Sequence, residues 1–288
     1  MTEGRVLKGV EFARPGSDDS RPLLLDLYLP TAYLPSAQEK LRPAVVHFHG
    51  GGWRMGERSS LGPVCDGFGL TPFDVLTEAG FVVASADYRL SSEAHFPAQL
   101  HDAQAAVEWL RSHAAEYGVD PAKIYAWGDS AGGHLASLVG LTGVRHNSVA
   151  AVAAWYPPTD LDSMAEQALP NAVSRPSDPG SREELLIGAP LAGNPELAAA
   201  ASPISYVAKA GGPAAPPFLL IHGTADRFVP AAQSESLAAK LQDSGADVEL
   251  LIIEGADHMW SLPDGSSAAA EKALAATVSF FLRQSGLP

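Results

Sequence analysis

Six short, unbroken apolar runs recur from residue 43 onward: AVVHF (44–48), FVVASA (81–86), KIYAW (123–127), VAAVAAWY (149–156), PFLLIHG (217–223) and VELLIIE (248–254). A strand with one wet face alternates apolar and polar residues. A strand buried on both faces has no polar side to show and reads as a continuous run. Helical stretches lie between most of the runs, at 97–118, 134–141 and 231–245, and another closes the chain at 268–284. Such alternation implies crossover connections, hence a mostly parallel central sheet flanked by helices on both faces. The front of the chain differs: LLLDLYL (23–29) alternates, and a further strand is expected near residues 6–12. These two predict an antiparallel edge. The fold class is α/β, and a length of 288 residues suits a single domain over 1–288.

Residues 157–217 break this rhythm, being rich in Pro, Ala and Gly with one short helical signal from Ser181 to Ile187. A long, weakly structured excursion inside an α/β domain reads as a lid or substrate-pocket insertion.

Composition excludes several function classes. There are 19 Lys and Arg against 33 Asp and Glu, a net charge of −14, and no basic cluster, so neither nucleic acid nor an anionic membrane is an expected partner. The single cysteine, Cys65, has no internal disulfide partner and no metal spacing around it. The opening MTEGRVLKGVEF lacks a basic-then-apolar signal pattern, and no apolar run reaches the length of a membrane span. A cytoplasmic protein is the expectation, although a secreted chain with its leader removed would read the same way. Monomer and homodimer stay equally open.

The sharpest local motif is GDSAGG (128–133), a G-x-S-x-G placed between the run KIYAW and a helix. A tight turn there lifts the Ser130 hydroxyl above the sheet, as a nucleophile requires. Serine needs a base to act. Of nine histidines, His95, His101 and His113 sit on or before the helix of 97–118, His134 faces back into the protein, His146 lies in a polar turn, and His222 closes a strand. His258, in the loop GADHMW after the last run, occupies the strand edge where open α/β sheets place their sites. Asp226, in HGTADRFVP, is the expected acid that orients it, with a helix N-cap as its structural alternative; Asp257 is a poorer candidate because neighbouring side chains rarely face each other.

HFHGGGW (47–53) admits three readings: a metal pair at His47 and His49, a phosphate cradle, or bare amides facing a reacting oxygen. The two histidines share a strand face, but no third ligand stands at a recognisable spacing, so no metal is expected. Phosphate-binding glycine patterns are absent.

With these residues assembled, the sequence resembles α/β-hydrolase esterases, both the hormone-sensitive-lipase-like branch and the bacterial feruloyl and acetylxylan esterase-like group. The likeness is carried by HGGGW (49–53), ADYRL (86–90), residues 96–136, ASPISYV (201–207), HGTADRFVP and GADHMW. It implies the α/β-hydrolase fold, in which the order Ser130, Asp226, His258 is that of the triad. It further implies an oxyanion hole from the N–H groups of Gly51, Gly52 and Ala131. Trp53, Trp155, Tyr156 and Leu191 are the expected pocket residues. The implied activity is a cofactor-free serine carboxylester hydrolase acting on a small-molecule ester with a short-chain or aromatic acyl group. An arylformamidase or short-peptide hydrolase using the same triad is an alternative, as is a non-catalytic ligand-binding protein on the same fold.

Overall fold

The computed structural model describes residues 5–16, 21–30, 41–62, 65, 71–143, 147–208 and 214–287; His146 lies outside them. Eight strands form one sheet: β1 (Arg5–Ala13), β2 (Leu23–Leu29), β3 (Arg42–Phe48), β4 (Val82–Ala86), β5 (Val119–Asp129), β6 (Val152–Trp155), β7 (Phe218–Gly223) and β8 (Val248–Ile253). Their spatial order is β1-β2-β4-β3-β5-β6-β7-β8. β1 pairs antiparallel with β2, and β2 with β4; every other neighbouring pair is parallel. The six apolar runs are thus the six parallel strands, and the alternating segment is part of the antiparallel edge.

Period-two geometry splits each strand between two cores. Ala44, Val46, Ile124, Ala126, Val152, Ala154, Phe218 and Leu220 face one side. They pack under helices α2 (Ala98–Ser112), α3 (Ala131–Thr142) and α7 (Ala232–Ser244). Val45, Tyr125, Trp127, Ala153, Trp155, Leu219 and Ile221 face the other, against α1 (Pro72–Glu78) and α8 (Ala268–Ser285). Helix α1 carries no mark in the apolar rhythm; a Thr71–Asp74 capping box and Pro72 in its first turn define its start.

The 157–217 excursion is more ordered than its composition suggests. It holds α4 (Met164–Gln167), α5 (Arg182–Ile187), α6 (Pro195–Ala200) and a 3-10 turn at Pro203–Tyr206. Leu161, Leu186, Ala198 and Ala201 are wholly buried in the α3-side core. Glu183, Ser202 and Thr159 are buried as well, so this segment is a packed wall of the domain.

Candidate active site

β5 runs straight into α3 through Asp129 and Ser130, and the glycines explain how the turn stays so tight. A Cβ on Gly128 would lie 2.3 Å from the Gly132 carbonyl, and one on Gly132 would lie 1.9 Å from the Phe48 carbonyl oxygen. Glycine is therefore required by close backbone approach at both positions. The compression leaves Ser130 at φ 52, ψ −117, a strained conformation of order 1–3 kcal/mol for a side-chain-bearing residue. Its N–H donates to the Trp155 carbonyl at 2.8 Å and its carbonyl accepts from His134 N–H at 2.9 Å, which hold the turn in place.

Two loops from the C-terminal edge of the sheet meet the serine. After β8, a 3-10 turn at His258–Trp260 brings His258 Nε2 to 3.0 Å from Ser130 Oγ. His258 Nδ1 lies 2.7 Å from Asp226 Oδ2, in the loop after β7. With the Nδ1 proton donated to the carboxylate, Nε2 is free to accept from the serine hydroxyl. The other Asp226 oxygen accepts from the N–H groups of Phe228 and Val229, at 2.9 and 2.8 Å. Asp226 is not an N-cap: α7 starts at Ala232 behind Ala231, five residues further on. Burial pushes the Asp226 carboxyl up, but the His258 charge and hydrogen bonds from His222 and His258 outweigh it and hold the group below the usual carboxylate range.

The other polar candidates have separate occupations. His222 Nε2 donates to the Val229 carbonyl at 2.8 Å while its Nδ1 accepts from Ser234, which ties the Asp226 loop to α7. Asp257 is bound to Arg227 at 2.6 Å. His134 sits between the Trp53 indole, at 3.2 Å, and the Ala201 carbonyl, at 2.6 Å.

The glycine loop follows β3. Gly51 at φ +113 and Gly52 at φ +60 both adopt left-handed backbone, and a Cβ on Gly51 would meet the Met55 carbonyl oxygen at 2.1 Å. His49 shapes the loop, bonding the Gly50 carbonyl through Nδ1 at 2.7 Å and stacking on Tyr88. Asp129 anchors it by accepting the Gly50 N–H at 3.0 Å. His47 stays inside the sheet, beside Ser85 at 2.9 Å. Burial lowers the pKa of both histidines, so each is a neutral packing group. Among the described residues no cluster of three or more His, Cys, Asp or Glu is placed to hold a metal.

A cavity of about 190 Å³ opens over Ser130, His258, Gly51 and Gly52, and Arg54, Met55, Arg182, Phe228 and Met259 complete much of its wall. A larger polar hollow of about 310 Å³ lies behind the glycine loop, by His49, Arg58 and Glu93, and Ser130 is not among its walls. The pocket residues expected from sequence are a correction. Trp53 is 1% exposed and turned inward to His134. Trp155 falls on the α8 face of β6, where its indole donates to Thr277. Tyr156 is buried behind His258, their rings 4.5 Å apart, and supports the imidazole from the back. Leu191 packs on the α3-side core. Burial decides Trp53, Trp155 and Tyr156, whereas Leu191 is half-buried. Apart from Arg182, every cavity-lining residue stands within three positions of a motif residue, a signal that strand-end reasoning overlooked.

Sheet order, elbow and the three-residue chain of hydrogen bonds define an α/β-hydrolase. The chain belongs to the BD-FAE family, whose model matches residues 25–241. Esterase LipQ of Mycobacterium tuberculosis is 30% identical over 283 residues, which cover 93% of this chain and 61% of LipQ. This chain thus spans about three fifths of that relative's length. Among solved structures, a truncated form of a carbohydrate esterase from gut microbiota matches with a TM-score of 0.78 at 27% identity, over 99% of this chain and 98% of that one. Thermogutta terrifontis esterase 2 phosphorylated by paraoxon matches at 0.70 and 27% identity, over 98% of this chain and 95% of that one. No helix among the described residues is long and apolar enough to cross a membrane.

Proposed function

We propose that the protein is a serine carboxylester hydrolase for small-molecule esters with short acyl groups. The observation that carries this reading is the unbroken relay from Asp226 through His258 to Ser130, at 2.7 and 3.0 Å. In this reading His258 Nε2 takes the hydroxyl proton as Ser130 Oγ attacks the ester carbonyl, and charged Asp226 stabilises the imidazolium that forms. The tetrahedral oxygen gains negative charge and is met by the N–H groups of Gly51, Gly52 and Ala131. Ala131 opens α3, so its N–H belongs to the first helical turn, where no intrahelical acceptor exists. Preorganised donors of this kind are worth about 3 kcal/mol each in the transition state. His258 then protonates the leaving alcohol, and a water activated by the same imidazole releases the acid. A 190 Å³ cavity is small beside the roughly 300–1,000 Å³ of pockets for drug-sized ligands, which favours short acyl groups.

The test is Ser130→Ala assayed on p-nitrophenyl acetate, with paraoxon labelling alongside. The expected result is a loss of kcat of roughly 10⁴-fold or more and no label on the variant. Turnover within tenfold of the parent would overturn the assignment. Esters of rising acyl length and N-formylkynurenine, in the same series, are expected to be turned over progressively less well and poorly, respectively.

A further inference from the structure

Two arginines face the same cavity as Ser130. Arg54 stands in the turn that follows the glycine loop, and Arg182 is the first residue of α5. The stem of Arg182 lies across Gly52, where an added Cβ would meet its Cδ at 2.4 Å. Its guanidinium sits 4.8 Å above the Phe228 ring, two residues from Asp226. Arg182 therefore bridges the cavity from the glycine loop to the acid loop.

The cavity pair differs from six other arginines of this molecule in forming no ion pair. Arg14, Arg21, Arg58, Arg89, Arg227 and Arg283 each sit in an ion pair. Among the described residues neither Arg54 nor Arg182 does. The acids nearby have other roles. Asp129 accepts the Gly50 N–H, and Glu183, 3% exposed, makes no ion pair with either arginine among the described residues. Burial lowers the pKa of Arg182; Glu183 opposes this, and the like charge of Arg54 adds to it. An arginine guanidinium nevertheless stays charged at any physiological pH. A chain of net charge −14 thus holds two arginines without an ion pair at the cavity that contains its candidate nucleophile. Arg182 is half-buried, where an unpaired charge is unfavourable unless a ligand supplies the missing partner, and a guanidinium fork matches a carboxylate in geometry.

Resting on the esterase reading above, we propose that Arg54 and Arg182 select esters that carry a carboxylate close to the scissile bond. The anion reaches the guanidiniums while the ester carbonyl lies over Ser130. They are specificity residues: the bond cleaved and the proton transfers are unchanged.

The experiment compares kcat/KM for matched pairs of anionic and neutral esters, followed by pH-stat. For an acyl-side anion the pair is monomethyl succinate and methyl 4-methylpentanoate. For an alcohol-side anion it is 4-acetoxybenzoate and 4-isopropylphenyl acetate. The parent is expected to favour the anionic member of at least one pair, and the pair that responds identifies the side of the ester that bears the charge. Arg182→Gln and Arg54→Gln should each lower the anionic-to-neutral ratio by on the order of tenfold, Arg182→Lys should restore part of it, and added salt should reduce it in the parent. Arg54→Glu, in an exposed turn, provides a charge-reversed variant with little burden on folding. If the parent hydrolyses the neutral esters and the ratio stays within twofold across all these variants, the charge-selection proposal fails and the esterase reading stands. If the parent hydrolyses none of the four esters, both fail.

Discussion

Ser130 holds a backbone conformation that side-chain-bearing residues seldom adopt, and the energy stored there is offset by the packing of Gly128 and Gly132 on either side. Asp226 is the residue whose electrostatics yield the clearest test. Its folded pKa is depressed, so the charged form is favoured in the native state. The stability this contributes is complete above about pH 4, the ordinary carboxylate value, and is lost as pH falls below that toward the folded pKa. Asp226→Asn should therefore show a weaker loss of stability than the parent on acidification below pH 4, measured by circular dichroism in denaturant at stepped pH. The same variant should lose roughly 10⁴-fold in kcat, because the amide leaves the imidazole in the wrong tautomer. An unchanged acid profile would mean that His222 and His258 do not stabilise the carboxylate. That Ser130, His258 and Asp226 come together was legible in sequence because a strand, a tight turn and a fixed chain order constrain them. Trp53, Trp155 and Tyr156 were not: an aromatic beside a motif has equal reason to be core, and the register of β6 sends Trp155 to the α8 side.

Helix α3 shows how an element can be fitted to its neighbours by what its residues lack. Its first turn lies against the end of β3, where a Gly132 Cβ would stand 1.9 Å from the Phe48 carbonyl oxygen. Neither partner is the free end of a side chain, so neither can yield cheaply. Gly132→Ala should destabilise the protein by about 3 kcal/mol or more and abolish activity, since the shift displaces Ser130. Gly180, before α5, is a useful contrast. It also has a positive φ, +74, but nothing lies within 4 Å of an added Cβ. Gly180→Ala should cost only about 1–2 kcal/mol of backbone strain. Urea denaturation midpoints of the two variants give the comparison, and equal midpoints would refute the close-packing argument. The strands and long helices were readable from periodicity. Helix α5 falls on the short helical signal at Ser181 to Ile187, but α4 and α6, four and six residues long, are too short to establish a period of 3.6; burial of Leu161, Leu186 and Ala198 holds that segment in place.

Across the molecule, three buried histidines make the fold sensitive to mild acid. Burial lowers the pKa of His47, His49 and His134, in the last case to about 4, against partial opposition from hydrogen bonds to neighbouring groups. In the unfolded chain each titrates near 6.5, so the unfolded state binds more protons through the interval between. Stability is therefore full above pH 6.5 and declines as pH falls from there, toward about 4 in the case of His134, by up to about 1.4 kcal/mol per pH unit for each histidine still neutral in the fold. Urea midpoints at pH 7.5 and pH 5 should differ clearly, and the difference should shrink in His134→Gln. A parent midpoint unchanged between those two values would contradict the neutral assignment of these side chains.

Local pattern was enough to define the architecture. Five of the six apolar runs are interior strands and the sixth, β8, is the sheet edge, and joining them through helices makes them parallel. The placement of Ser130, His258 and Asp226 follows from the same logic, because each lies after a strand end at the same edge of the sheet. The walls of the cavity obey no such periodicity. Arg182 comes from a short helix some fifty residues beyond Ser130 in the chain, and reaches Gly52 and Phe228 only because the 157–217 segment packs its apolar side onto the α3 face. Which side chains surround a substrate depends on how distant loops converge. That convergence is set by burial summed over the whole core, which no short stretch of the chain records.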